Sequence, residues 1–265
     1  MYPDYLFTIN LGGGPVGPTM YGLMIAIGLL CCFGVLFFYA KKLGYNQNFI
    51  DFIFYVGICS IIVGFGFAAL FQAFYNFIET GKFQFGGITF LGGLIGGVAC
   101  FFILYGIFRK KYTSRLIDVL SYLPCCILIA HGFGRIGCLF AGCCHGTYLG
   151  AEYVFGGIRM EGTLGWGYYV PTQLYEALFL FVVFGLLTFL VFKYDYKHGL
   201  SLYLITYGIF RFIIEFFRAD HRGEFIGNIS PSQFWSLAMI VLAFGVYFLE
   251  KYLVKRRKEQ LAALK

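Results

Sequence analysis

The segment of the chain richest in reactive side chains is YGIFRFIIEFFR at 207–218, where Tyr207, Arg211, Glu215 and Arg218 stand at i, i+4, i+8 and i+11. On a helix these positions share one stripe. The residues between them are apolar, so the stripe would carry charge to membrane depth. There an ion costs roughly 3 kcal/mol or more unless it is paired or faces a wet cavity. Glu215 can neutralise and orient one guanidinium while the other grips an anion. A guanidinium binds phosphate or carboxylate through two parallel hydrogen bonds, which the point charge of a lysine cannot do.

A second concentration lies in HGFGRIGCLFAGCCHG at 131–146, which holds His131, Arg135, Cys138, Cys143, Cys144 and His145. Its glycines (Gly132, Gly134, Gly137, Gly142 and Gly146) allow tight turns and close approach of backbone to a ligand. His131 is expected at a helix end. PTQLYE at 171–176 follows, with Thr172 and Gln173 as the polar cap of a helix and Glu176 one turn inside an apolar run, where a carboxylate needs a partner. Of the nine cysteines, six fall within apolar stretches and read as small core residues. The trio Cys138, Cys143 and Cys144 reads as packing or a disulfide that shapes a loop. C-x4-C-C-H is not a usual zinc spacing, so neither metal nor cofactor is expected.

The elements that must position these groups follow from composition. The chain has 265 residues, 60% hydrophobic and only 12% charged, with a mean hydropathy of +0.77; an ordinary soluble domain is about 25% charged. A soluble globular fold is excluded. Apolar runs near 19–40, 50–78, 90–108, 117–131, 174–192, 199–217 and 233–250 approach the roughly 20 residues of a spanning helix. They lack the alternation of a membrane β-barrel. The expectation is an all-α integral membrane protein of seven transmembrane helices, one polytopic domain over 1–265. The run at 117–131 contains Pro124 and is short, so it counts as a span only if it continues through His131 towards Arg135. The longest connection is then the loop at about 132–173.

Fourteen of the twenty basic residues follow the first, third, fifth and seventh runs, from Lys41 and Lys42 to the cluster at 251–258 and Lys265. The positive-inside rule then puts the N-terminus outside, the 132–173 loop outside and the C-terminus in the cytoplasm. No basic residue precedes Lys41, so a signal-peptide n-region is not expected and the first span should remain in place. The basic tail suits anionic lipid rather than nucleic acid. Five of the six outer basic residues are arginines (Arg135, Arg159, Arg211, Arg218 and Arg222, against Lys82). Orientation alone is indifferent to that choice, and an outer-leaflet phosphate site would explain it. The competing reading pairs some of them with Glu152, Glu161, Glu215, Asp220 and Glu224.

In these residues the sequence resembles the prolipoprotein diacylglyceryl transferases of bacterial inner membranes. The resemblance runs through MYGLM at 20–24, YN at 75–76, FLGGLIGG at 90–97, GRIG at 134–137, PTQLYE at 171–176, YGIFRFIIEFFR at 207–218 and SPSQFWSL at 230–237. It implies a seven-helix enzyme that moves the diacylglyceryl group of phosphatidylglycerol to the thiol of a lipobox cysteine in a prolipoprotein signal peptide, releasing glycerol phosphate. Its partners would be those two substrates and the surrounding membrane lipids. The chain is a divergent member: where the family has N-F-x-N-x-E after GRIG, this sequence has Cys138 to Cys143, and the histidine usual before GGLIG is Leu91. Carried over residue by residue, Tyr21, Gly134, Arg135, Arg211 and Glu215 are the candidates for lipid binding or transfer. His131 is a further catalytic candidate, with Gln173, Tyr207 and Arg218 as binding candidates. A non-catalytic phospholipid-binding or transport protein on the same fold is the alternative.

Overall fold

The computed structural model describes residues 6–10, 15–85, 87, 89–111, 116–162, 164–218 and 229–262. Asp220, Arg222 and Glu224, weighed above as an anion-gripping arginine and its acidic partners, lie outside the described residues. In chain order the elements are β1 (Ile9–Asn10), β2 (Pro15–Val16), α1 (Met20–Lys42), α2 (Gln47–Thr80), α3 (Phe90–Phe108), α4 (Leu116–Leu120), α5 (Leu123–Phe140), β3 (Tyr148–Gly150), β4 (Ile158–Gly162), β5 (Gly165–Tyr169), α6 (Thr172–Tyr194), α7 (Gly199–Ile214) and α8 (Pro231–Ala262). Six spans are long and apolar enough to cross a membrane, with α4 and α5 together forming one of them, Leu116–Phe140. The protein is a multi-pass membrane protein. α3 is a shorter apolar helix.

Three expectations change here. The run at 117–131 does continue through His131 and Arg135, because α5 reaches Phe140 with Pro124 at its first turn, where a missing N–H costs nothing. The following connection therefore begins at Ala141 rather than 132, and Gly132, Gly134 and Gly137 are helical instead of making turns. The chain is mostly helical, as an all-α membrane protein should be, but the long connection is not a plain loop. That connection folds into an antiparallel sheet of order β3-β5-β4, while β1 and β2 pair as a small ribbon. Finally, the charged stripe does not stay on one helix: α7 ends at Ile214, a tight 3-10 turn covers Glu215–Phe217, and Arg218 is extended.

The chain divides into two compact units, Leu36–Arg115 and the remainder, with the division falling inside α1. In the first, α2 packs along α3 through small residues. A Cβ at Gly64 would lie 3.0 Å from the carbonyl oxygen of Gly93, and one at Gly97 3.2 Å from that of Ser60. FLGGLIGG is thus a packing stripe that lets two backbones approach, as apolar helices in lipid require. The YN pair helps to close the turn between these helices, since Asn76 Nδ2 donates to the carbonyl of Gln84 at 3.0 Å.

In the other unit, α5 is the central helix. Its glycines fit neighbouring side chains: Gly132 lies against the Phe181 ring of α6, and Gly137 against Tyr21 and Met24 of α1. α7 packs on α8 where Gly208 faces the Ser236 carbonyl and Ile240. Glu250 of α8, fully buried, accepts from Leu200 N at 3.1 Å and Ser201 Oγ at 2.6 Å. It serves as a carboxylate cap for the orphan N–H groups that open α7. Asp118 of α4 forms an ion pair with Arg257.

Candidate functional site

Glu176 finds its partners one helix away on either side. Its Oε1 lies 3.0 Å from Arg135 Nε of α5 and accepts a hydrogen bond from Tyr207 OH of α7 at 2.6 Å. Only 1% of the Glu176 side chain is exposed. His131, one turn before Arg135, sits inside α5 and not at its end. Its ring faces two tyrosine hydroxyls, Tyr207 at 3.4 Å from Nε2 and Tyr203 at 3.3 Å from Nδ1. One buried carboxylate on α6 thereby links an arginine of α5 to a tyrosine of α7, and through that tyrosine and Tyr203 the network takes in His131. Sequence reading flagged that Glu176 needed a partner but did not place it among the site residues. Tyr203, one turn before Tyr207, was missed.

A second carboxylate organises the other two arginines. Glu215 Oε2 stands 2.9 Å from Arg211 Nη2 and 3.6 Å from Arg218 Nε. The pairing survives the break in the helix because the 3-10 turn keeps Glu215 and Arg218 three residues apart on one side. The opening of α8 completes it. Ser230 and Gln233 form a reciprocal capping box, Ser230 N donating to Gln233 Oε1 at 3.0 Å and Gln233 N to Ser230 Oγ at 3.2 Å, with Pro231 at the first helical position. Held this way, Ser230 Oγ donates to Glu215 Oε1 at 3.0 Å, and Ser232 Oγ accepts from Arg211 Nη2 at 3.1 Å. The SPSQ motif is a helix start that delivers two hydroxyls to an ion pair. Arg211 is 7% exposed, and its Nη1 is buried with no hydrogen-bond partner among the described residues. A buried guanidinium arm without an acceptor requires an explanation.

The segment after α5 lies against both carboxylate clusters. Gly142 and Cys144 take left-handed backbone, φ 68° and 62°, and curl the chain so that the sulfurs of Cys138, Cys143 and Cys144 lie within 4.8 Å of one another. No disulfide joins any of the nine cysteines. Thr172 and Gln173 do not cap α6. Instead Thr172 Oγ1 donates to the Cys144 carbonyl at 2.7 Å and Gln173 Nε2 to that of Cys143 at 2.8 Å, while Gln173 Oε1 is buried without a partner among the described residues. The segment is also stitched to the end of α7 by Thr147 N to the Phe217 carbonyl at 3.0 Å and a bridge between Gly146 and Arg218. Hydrogen bonds with the Cys138 and Cys143 thiols, and then with the Arg218 guanidinium, pull the Cys144 thiol well below its ordinary range. The same thiol contacts, Cys138 first, hold the proton on Cys143. Tyr21, at the start of α1, lies within electrostatic reach of all three cysteines and of Arg135. His145 turns away, its Nδ1 at the Gly146 carbonyl and its ring on Tyr169.

Gly134 is the helical glycine of GRIG beside which nothing lies within 4 Å of a Cβ position. Arg159 is exposed on β4. Tyr21, His131, Arg135, Gln173, Tyr207, Arg211, Glu215 and Arg218 are all tied into the clusters above. A family model described as prolipoprotein diacylglyceryl transferase matches residues 8–249. The chain belongs to this family. A phosphatidylglycerol–prolipoprotein diacylglyceryl transferase of Clostridium tetani is 31% identical over 249 residues, covering 88% of this chain and 93% of that protein. Proteins of the same name from Staphylococcus xylosus and Xylella fastidiosa are each 28% identical, covering 97% and 89% of this chain and 94% and 90% of their own lengths. The prolipoprotein diacylglyceryl transferase match spans both units and every cluster described, the cysteine trio included.

Proposed function

We propose that this membrane enzyme transfers the diacylglyceryl group of phosphatidylglycerol to the thiol of a lipobox cysteine in a prolipoprotein and releases glycerol phosphate. The reading is supported by the names of its relatives. The observation that carries it into this chain is the pair of buried carboxylates that hold Arg135, Arg211 and Arg218 in one unit, with Arg211 Nη1 buried and without a partner among the described residues. The acceptor sulfur attacks the glyceryl C3 carbon, the C–O bond to phosphate breaks, and charge gathers on the departing phosphate. Preorganised guanidinium groups stabilise that charge without having to reorganise.

In this scheme Arg211 and Arg135 face the phosphate, and Glu215 and Glu176 orient them. Arg218 and Gln173 bind near the thiols, and the open side of Gly134 admits the lipid. Tyr207 and His131 steer Arg135 through the shared Glu176 network, while Tyr21 stands between Arg135 and the cysteines. Counting α3 as a seventh span gives an odd number, with the N-terminus outside, the 141–171 connection outside and the C-terminus cytoplasmic, as the basic residues require. The whole chain then works as one polytopic domain of the bacterial inner membrane. The deciding experiment is complementation. Expression in cells depleted of their own transferase should restore lipidation of a reporter prolipoprotein, and an unmodified precursor at full expression would overturn the reading.

A further inference from the structure

The transfer reaction needs a group to ready the acceptor thiol, and among the described residues neither carboxylate that holds the site's arginines is free for that work. Both Glu176 and Glu215 are engaged with arginines. His131 is enclosed by two tyrosines. The sulfurs of Cys138, Cys143 and Cys144, in contrast, converge within 4.8 Å. A tetrahedral zinc about 2.3 Å from each sulfur needs them roughly 3.8 Å apart, a change that small side-chain rotations supply. The backbone is built to hold them together. Cys144 keeps a left-handed conformation that a non-glycine residue rarely adopts, and Thr172 and Gln173 each clamp a carbonyl of this segment. Three thiolates around a divalent ion leave one net negative charge, and Arg218 lies beside it in contact with Cys144. Linear spacing argued against a metal. Spatial convergence argues for one, because Cys138 comes from the last turn of α5 and the other two from the curl that follows.

We propose that Cys138, Cys143 and Cys144 form a three-thiolate zinc site whose open fourth position takes the acceptor thiol. Three protein ligands with one open position are the arrangement of catalytic rather than structural zinc. Cys143 is exposed, so the position can be reached. The acceptor cysteine displaces a zinc-bound water, its proton passes to water, and it binds as thiolate, since a coordinating thiol is deprotonated outright. The sulfur then attacks the glyceryl C3 carbon, the C–O bond breaks, the electron pair leaves with glycerol phosphate held by the arginines, and the thioether product gives way to water on zinc. This rests on the transferase reading for its acceptor, but the metal site is tested apart from it.

The purified protein in detergent, reduced and stripped with a chelator, is titrated with cobalt(II) as a spectroscopic stand-in for zinc. One equivalent should produce thiolate-to-cobalt charge-transfer bands and the visible bands of a tetrahedral ion, and zinc should abolish both. Cys138→Ser, Cys143→Ser and Cys144→Ser should each weaken binding at least tenfold, whereas Cys59→Ser should not. A soluble peptide with one cysteine should shift the visible bands, and its serine counterpart should leave them unchanged. An octahedral spectrum, or no bands with all three thiols titratable, overturns the site. A disulfide among the three in protein isolated without reductant, or a lipid adduct on one of them, does the same. Cobalt binding that ignores the cysteine peptide overturns the open position. Lipidation without a metal site would sink this inference and leave the transferase reading standing. A metal site without lipidation would sink the transferase reading and, with it, the acceptor role of the open position, and leave the three-thiolate site standing.

Discussion

Each arginine of the site is defined by the carboxylate that holds it and by what that carboxylate leaves over. Arg211 directs one nitrogen to Glu215 and Ser232 and keeps the other buried, with no hydrogen-bond partner among the described residues. A hydrogen bond from a charged group to a buried phosphate contributes about 1.5–3 kcal/mol, or roughly ten- to over a hundredfold in rate. Arg211→Ala and Arg135→Ala should each lower lipidation by at least that factor while the protein still accumulates in the membrane. Arg211→Lys should fail to restore it, because an ammonium cannot keep Glu215 and reach a phosphate in the fixed geometry of the fork. Rates of both alanine variants within twofold of wild type in a lipidation assay would remove the phosphate clamp.

Helices meet here where glycine lets them, so the packing of each element can be tested at single positions. A Cβ at Gly28 of α1 would lie 2.9 Å from Phe133 Cβ and 3.1 Å from the Ala130 carbonyl oxygen of α5, whereas a Cβ at Gly34 would meet nothing within 4 Å. Forcing atoms into a packed contact of this kind costs about 1–3 kcal/mol. Gly28→Leu should lower the thermal unfolding midpoint in detergent and disturb the α5 helix that carries Arg135. Gly34→Ala should leave the midpoint unchanged or raise it slightly, since alanine is the better helix former. Equal midpoints for the two variants would show that α1 does not rest on α5 through Gly28.

At the scale of the whole molecule, the asymmetry of basic residues makes a statement that side-chain contacts cannot. If the proposed orientation holds, a single cysteine introduced at Glu152 in a cysteine-free background should react with an impermeant maleimide in intact cells. One at Gln260 should react only after the membrane is opened. Labelling of the Gln260→Cys variant from outside would reverse the orientation. A cysteine-free protein without transfer activity is itself expected if the trio works in catalysis, and it does not affect this reading of topology.

The sequence by itself determined the class and the cast: apolar runs of spanning length, arginines concentrated in a few segments, a carboxylate in the apolar run that PTQLYE opens, and the motifs of the family. Those are properties of composition and local spacing, which a linear chain displays directly. It could not display which carboxylate holds which arginine, because Arg135, Glu176 and Tyr207 come from three different helices. Local pattern also misjudged the glycine-rich stretch after His131, where glycines that favour turns in isolation lie in α5 against Phe181 and Tyr21. Helix–helix contact outweighed their weak local preference. The convergence of Cys138, Cys143 and Cys144 likewise needed two left-handed residues and the anchoring of Thr172 and Gln173, some thirty positions away in sequence. Only packing in three dimensions brings groups that far apart in the chain to the same few ångströms.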